Sequence, residues 1–108
     1  MDFDSLMAIS PVDGRYRHKT DELADYLSEF ALMKYRTMVE VEYFIALCDI
    51  PLPQLKDFDV EKYDLLRSFY REFTVEDARK IKEYEKITNH DVKALEYYLK
   101  EKFTSSGL

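Results

Sequence analysis

Two short polar segments hold most of the residues that could bind or transform a ligand. Asp13-Gly14-Arg15-Tyr16, here called the Arg-Tyr turn, lies near the start of the chain. An arginine guanidinium is a planar fork that binds phosphate through two hydrogen bonds, and a tyrosine hydroxyl can add a third. Gly14 would let the backbone approach a ligand closely. The turn is therefore a candidate phosphate site, although Arg15 could instead pair with Asp13 while Tyr16 packs on a helix.

The second segment, Thr88-Asn89-His90-Asp91, falls where a helix is predicted to begin, because apolar residues recur after it at helical spacing. Thr88 and Asp91 have the spacing of a capping box. Asn89 and His90 would then lie in the first turn, whose free N–H groups attract anions. Histidine also titrates near neutral pH. The segment could bind a carboxylate or phosphate, although helix capping alone accounts for Thr, Asn and Asp.

The sequence offers no metal site and no complete catalytic set. It has two histidines and one cysteine, and no pair of them has the spacing typical of metal ligands. A glycine-rich phosphate loop and a nucleophile elbow are also absent from the sequence. The residue spacing therefore predicts no metal site in this chain.

Composition narrows the classes of partner. The formal net charge of −6 argues against nucleic acid, whose binding needs a concentrated basic surface. No apolar run approaches the roughly 20 residues that a membrane span needs. The acidic N-terminus does not resemble a signal peptide. Cys48 is the only cysteine and lies in an apolar run, so we expect a buried thiol and a cytoplasmic, reducing location.

The pattern of residues predicts an all-α fold of about four to five helices after an irregular segment over residues 1–20. With 108 residues, the chain fits a single domain. A long helix is expected over about 21–48, with a possible break near Ser28 and an end at the prolines of residues 50–53. Further helices are expected from an Asp59 cap to Tyr70, from a Thr74 capping box to Ile87, and over about 89–103.

The long predicted helix is apolar on more than one face. One set of residues keeps helical spacing, and a second set widens the apolar stripe. Such a helix is expected to pack on more than one neighbour. The first set is Leu32, Tyr35, Val39, Tyr43 and Ala46, and the second is Met38, Val41 and Ile45.

Taken together, the two polar segments resemble a known family. Ile9-Ser10-Pro11-Val12-Asp13-Gly14-Arg15-Tyr16 and the stretch from Lys86 to Lys102 are similar to the N-terminal domain of the adenylosuccinate lyases, most of all to the bacterial type. Residues 28–42 share the resemblance, and residues 50–73 share it least. The resemblance implies the fumarase/aspartase superfamily of all-α homotetramers, whose subunits share active sites.

The resemblance also implies an activity. These enzymes are C–N lyases of the amidine-lyase type, without metal or organic cofactor. They release fumarate by β-elimination from adenylosuccinate and from the succinylo-aminoimidazole carboxamide ribotide, on the routes to AMP and IMP. In the family, the Arg-Tyr pair contacts the substrate phosphate and the Asn-His-Asp triplet binds substrate. These roles map onto Arg15 and Tyr16, and onto Asn89, His90 and Asp91.

Family members are about four times longer than this chain, and their catalytic serine loop and general-acid histidine lie beyond residue 108. The resemblance therefore implies an N-terminal fragment, residues 1–108, that supplies substrate-binding residues and is inactive alone. His90 would hydrogen-bond the dicarboxylate of the substrate or assist the general acid, and would not act as the acid itself. The alternative is a non-catalytic helical module that binds a protein partner or a nucleotide.

Overall fold

The computed structural model describes residues 4–50 and 52–108, and within them it contains helices and turns but no strand. The all-α prediction is confirmed. Contacts between Cα atoms group the chain into two compact units, Met1–Leu32 and Met33–Leu108. The assignment of residues 1–108 to a single domain stays a prediction.

The first unit consists of short helical pieces. A 3-10 turn at Ser5–Met7 is followed by helix α1 (Arg17–Thr20), a 3-10 turn at Asp21–Leu23 and helix α2 (Ala24–Leu27). The prediction of an irregular segment over residues 1–20 is therefore wrong for its last four residues, which are helical. Its first three residues, 1–3, lie outside the described part of the chain.

The predicted break near Ser28 is confirmed. Ser28 has an extended backbone, with φ −76° and ψ 168°, between α2 and the long helix α3 (Glu29–Asp49). Its hydroxyl accepts a hydrogen bond from the Ala31 N–H at 3.0 Å, so this serine ends one helix and caps the next. Helix α3 ends at Asp49, as expected, but Pro51 lies outside the described residues.

Within the second unit, α3 has one buried and one exposed apolar face. The buried face includes Thr37, whose hydroxyl donates to the Met33 carbonyl at 2.8 Å and is thereby satisfied. The first of the two predicted sets is the exposed one, because Leu32, Tyr35, Val39, Tyr43 and Ala46 all face solvent. A second neighbour for this face stays a prediction. The buried residues are Met33, Thr37, Val41, Ile45 and Cys48.

Three further helices follow, namely α4 (Tyr63–Arg71), α5 (Val75–Thr88) and α6 (Asp91–Ser105). Asp59 acts as a cap, as predicted, but its carboxylate binds the Glu61 N–H of a 3-10 turn at Val60–Lys62 that leads into α4. The Thr74 capping box is confirmed, with Thr74 and Asp77 each bonding the other's backbone N–H.

Helices α5 and α6 form a hairpin that packs against itself along its length. Tyr97 and Tyr98 illustrate how a helix divides adjacent aromatics, because Tyr98 is 1% exposed and Tyr97 is 43% exposed. Among residues 4–50 and 52–108, none of the helices has the length and hydropathy that crossing a bilayer requires. The core of the three helices and their links consists of Leu66, Phe69, Phe73, Ala78, Ile81, Ala94, Leu95, Tyr98 and Leu99.

Candidate functional site

Hydrogen bonds to Asp13 shape the Arg-Tyr turn. The carboxylate of Asp13 accepts from the Ser10 N–H at 2.8 Å and from the Ile9 N–H at 3.3 Å. These bonds, with that from the Ser10 backbone first, hold the pKa of Asp13 below its usual value despite opposing desolvation. The Tyr16 N–H donates to the Pro11 carbonyl at 2.8 Å and closes the turn. Asp13 is therefore an internal brace of the turn.

Gly14 is required by the chain's own packing. A Cβ at Gly14 would lie 2.5 Å from the Ser5 carbonyl oxygen and 2.9 Å from the Ala8 Cβ, and the residue is buried. The expectation that this glycine lets a ligand approach the backbone is therefore wrong, because Ser5 and Ala8 already occupy that side.

Arg15 and Tyr16 both remain accessible in the described structure. The Arg15 guanidinium lies over the Tyr16 ring, 5.2 Å from its centroid, and Tyr16 is 40% exposed. The alternative pairing of Arg15 with Asp13 is not formed among the described residues, because the Asp13 carboxylate is engaged by backbone N–H groups. A guanidinium stacked on a tyrosine keeps its N–H edge available for an anion.

The link between α5 and α6 differs from the predicted capping box. Thr88 is the last residue of α5, and Asn89 adopts the left-handed region with φ 53° and ψ 28°, which asparagine tolerates. His90 is the N-cap of α6. Of the four residues 88–91, only Asp91 lies in the first turn of this helix. Thr88, Asn89 and Asp91 are all ordinary capping residues, so the sequence did not identify His90 as the cap.

Two N–H groups in the first turn of α6 are already bonded to side chains. The Lys93 N–H donates to His90 Nδ1 at 3.2 Å, and the Val92 N–H donates to Asp91 Oδ1 at 2.8 Å. The Thr88 hydroxyl donates to the His90 carbonyl at 2.9 Å and accepts from its N–H at 3.2 Å. The N–H groups of Val92 and Lys93 are therefore not available to an anion, unlike in the sequence-based expectation.

Two side-chain groups of the triplet Asn89-His90-Asp91 are available instead. His90 accepts a hydrogen bond at Nδ1, which assigns its ring N–H to Nε2, and Nε2 has no partner among the described residues. The Asn89 amide is likewise without a partner in residues 4–50 and 52–108, and both side chains are exposed. The triplet thus offers one imidazole donor together with an amide donor and acceptor.

Asp91 is bonded on both oxygens. Its Oδ2 accepts from Arg36 Nη1 of α3 at 2.8 Å, in addition to the Val92 N–H on Oδ1. The hydrogen bond from Arg36, followed by that from Val92, lowers the pKa of Asp91. Sequence reasoning missed Arg36, because 55 positions separate the two residues and no local pattern indicates their contact.

An open cleft of about 450 Å³ lies beside the triplet and is lined by Tyr84, Ile87, Thr88, Lys93 and Tyr97. Tyr84 and Tyr97 stack with their centroids 6.1 Å apart. The Lys93 ammonium is paired with Glu96 at 3.2 Å, which raises the pKa of Lys93. The lining of the cleft is therefore mainly aromatic, and its one lysine is already paired with Glu96. No group of residues suited to hold a metal ion occurs in the described part of the chain.

The Arg-Tyr turn belongs to the first unit and the triplet to the second. Their meeting in one pocket therefore stays a prediction.

Comparison with known proteins confirms the resemblance seen in the sequence. The chain is 52% identical over 103 residues to an adenylosuccinate lyase of Dictyostelium discoideum, a match that covers 92% of this chain and 22% of that protein. It is 49% identical to the Legionella pneumophila (strain Corby) enzyme of the same name, over 95% of this chain and 23% of the relative. It is 43% identical to that of Escherichia coli (strain K12), over 94% and 23%.

The chain thus spans less than a quarter of the length of these curated relatives. No protein-family model matches it. Nearly the whole chain is nevertheless similar to a segment of proteins named adenylosuccinate lyase.

Proposed function

We propose that this chain is the N-terminal, substrate-binding segment of an adenylosuccinate lyase, as its similarity to a segment of proteins with that name indicates. The full-length protein would be a C–N lyase of the amidine-lyase type. It would release fumarate from adenylosuccinate and from the succinylo-aminoimidazole carboxamide ribotide. The single observation that carries this proposal is identity of 43% to 52% along nearly the whole chain.

The reaction needs two proton transfers. A base removes a proton from the carbon next to a carboxylate of the succinyl arm, the C–N bond breaks, and an acid protonates the departing nitrogen. Negative charge builds on an already anionic substrate, so fixed hydrogen-bond donors must lie against it. In the proposal, the acid and base come from the part of the enzyme beyond residue 108.

The residues of this chain would hold the two ends of the substrate. Arg15 and Tyr16 would bind the phosphate, for which the stacked, exposed guanidinium is suited. His90 Nε2 and the Asn89 amide would bind the succinyl arm or assist the general acid. Asp91 would be the third substrate-binding residue of the triplet. These roles agree with the exposure of the side chains, all of which are accessible in the structure.

We also propose that the full-length enzyme is a cytoplasmic homotetramer. Support for assembly comes from the outer face of α3, where Tyr35 is 38% exposed, Val39 61% and Tyr43 62%. Apolar side chains spaced along one face of a long helix are typical of a surface that another part of a larger assembly covers. Light scattering on the full-length protein would give the subunit number.

The alternative, a non-catalytic interaction or nucleotide-binding module, is not favoured by the names of the relatives. Fumarate production separates the two hypotheses. We expect the full-length protein to release fumarate from adenylosuccinate, measured by absorbance, and the 108-residue chain to release none. A full-length protein that binds AMP but forms no fumarate would favour the module. Fumarate release by the chain alone would contradict the assignment of acid and base to the remainder.

A further inference from the structure

We propose that Arg36 is a positioning residue, which holds the Asn89-His90-Asp91 triplet in its binding geometry by gripping the Asp91 carboxylate. The inference deepens the proposed function and rests on it, because it takes the triplet to be the segment that contacts substrate. Arg36 itself is not assigned a contact with the reacting atoms.

The contact joins two helices that are distant in the sequence. Arg36 lies in the first half of α3, and Asp91 is the first residue of α6. Their atoms Nη1 and Oδ2 are 2.8 Å apart, and the two side chains are 35% and 52% exposed. Because both side chains are partly exposed and screened by water, the pair by itself contributes little to the stability of the fold. As a contact that positions the triplet, it would affect substrate turnover more than it affects folding.

The orientation of His90 depends on where α6 begins. Its imidazole is bonded to the Lys93 N–H one turn into α6, so the ring moves with that first turn. Only Asn89 and His90 connect α5 to α6, and Asn89 is fixed in the left-handed region. Arg36 therefore links the tip of this hairpin to α3.

Charge provides a second reason for the contact. An unpaired Asp91 carboxylate would lie next to the donors that the proposal assigns to a dicarboxylate substrate, and it would repel that substrate. The Arg36 guanidinium offsets this charge. The hydrogen bond from Arg36 is the largest cause of the lowered pKa of Asp91, so the ion pair persists to lower pH than an unpaired aspartate would stay ionised.

A matched pair of variants of the full-length protein tests the inference. Arg36→Met removes the bond to Asp91. Arg67→Met is the control, because Arg67 makes a comparable ion pair with Glu42 of the same helix α3, at 2.9 Å, away from the triplet. We expect Arg36→Met to lower kcat for fumarate release about 10- to 100-fold, as misplacement of binding groups does. Arg67→Met should leave kcat within about twofold. Arg36→Lys should restore part of the loss, because an ammonium can bind one Asp91 oxygen.

Nitrogen NMR of the histidines in the 108-residue chain gives a readout that a purely stabilising contact would not change. In the parent chain and in Arg67→Met, we expect His90 to show one tautomer, with the proton on Nε2. In Arg36→Met, we expect averaging between tautomers as the cap loosens. Normal kcat and an unchanged His90 spectrum in Arg36→Met would overturn the inference. Absence of fumarate release by the parent full-length protein would instead count against the proposed function, and the NMR comparison would still test the tether.

Discussion

The imidazole of His90 accepts a hydrogen bond at Nδ1 from the backbone N–H of Lys93, at 3.2 Å. Under the proposed function this side chain has two tasks. It caps α6 through Nδ1, and it would offer Nε2–H as a donor to the substrate. A substitution of His90 that removes both ring nitrogens would therefore change the stability of the fold and the binding of substrate together. Separating the two effects needs a residue that replaces only the capping nitrogen.

Replacing His90 by two different residues should separate the tasks. His90→Asn supplies a good N-cap but no imidazole, whereas His90→Ala supplies neither. We expect His90→Ala to destabilise the 108-residue chain by about 1 kcal/mol and His90→Asn to leave the free energy of unfolding nearly unchanged. In the full-length protein, both should lower kcat by about two orders of magnitude or more. Urea unfolding and fumarate release measure the two effects.

Near-normal activity of His90→Asn would show that capping is the only role of this side chain. Equal destabilisation by both variants would contradict the capping role instead.

Arg15→Ala should chiefly raise KM in the full-length protein. A phosphate contact is remote from the C–N bond, and its loss affects ground state and transition state alike. Loss of hydrogen bonds to a charged group, about 1.5–3 kcal/mol, corresponds to a KM about 10- to 100-fold higher with kcat little changed. Lys19→Ala is the control, because it removes one exposed positive charge from the same unit. A KM that rises equally in both variants would indicate a general effect of charge.

Glu42 should make the stability of the second unit depend on pH. The hydrogen bond from Arg67, followed by that from Tyr70, lowers the pKa of Glu42 from its usual 4.5. A carboxylate with a lowered folded-state pKa stabilises the fold above its unfolded pKa, and this contribution is lost as the pH falls through the folded value. Glu42→Gln should therefore be less stable than the parent chain near neutral pH, and the difference should vanish in acid. Thermal unfolding over a pH series tests this, and a constant difference would contradict it.

Tyr98 should stabilise the fold through its ring more than through its hydroxyl. The buried hydroxyl has no partner at hydrogen-bonding geometry among the described residues, while burial and the nearby Asp77 carboxylate raise the pKa of Tyr98. We expect Tyr98→Phe to change the free energy of unfolding by less than about 1 kcal/mol. Tyr98→Ala should destabilise by about 3–5 kcal/mol, because it leaves a cavity. A large loss in Tyr98→Phe would show that the bond to Asp77 forms in solution.

The features that the sequence predicted correctly depend on residues that lie close together in the chain. The Thr74–Asp77 capping box was predictable, because both bonds lie within three residues and no neighbour competes for the role. The start of α6 was not, because Thr88, Asn89 and Asp91 can all cap a helix and yet His90 does so. Which of these residues becomes the N-cap of α6 depends on how far α5 extends, and tertiary packing determines that length.

Two further features lay beyond the reach of sequence patterns. Helix α3 is apolar on opposite faces, so periodicity could not say that Val41 would be buried and Val39 exposed. The contact of Arg36 with Asp91 joins residues 55 positions apart, and a single sequence carries no signal for it. The exposed positions of Arg15 and His90, by contrast, agree with the roles that the resemblance suggested.

Calorimetry with AMP tests most directly whether the Arg-Tyr turn and the triplet hold opposite ends of one nucleotide. AMP carries the phosphate but lacks the succinyl arm. In the full-length protein, we predict that Arg15→Ala weakens AMP binding about tenfold or more, while His90→Asn leaves it within about threefold. Unchanged AMP affinity in Arg15→Ala, or an equal loss in both variants, would contradict this division of the substrate between the two segments.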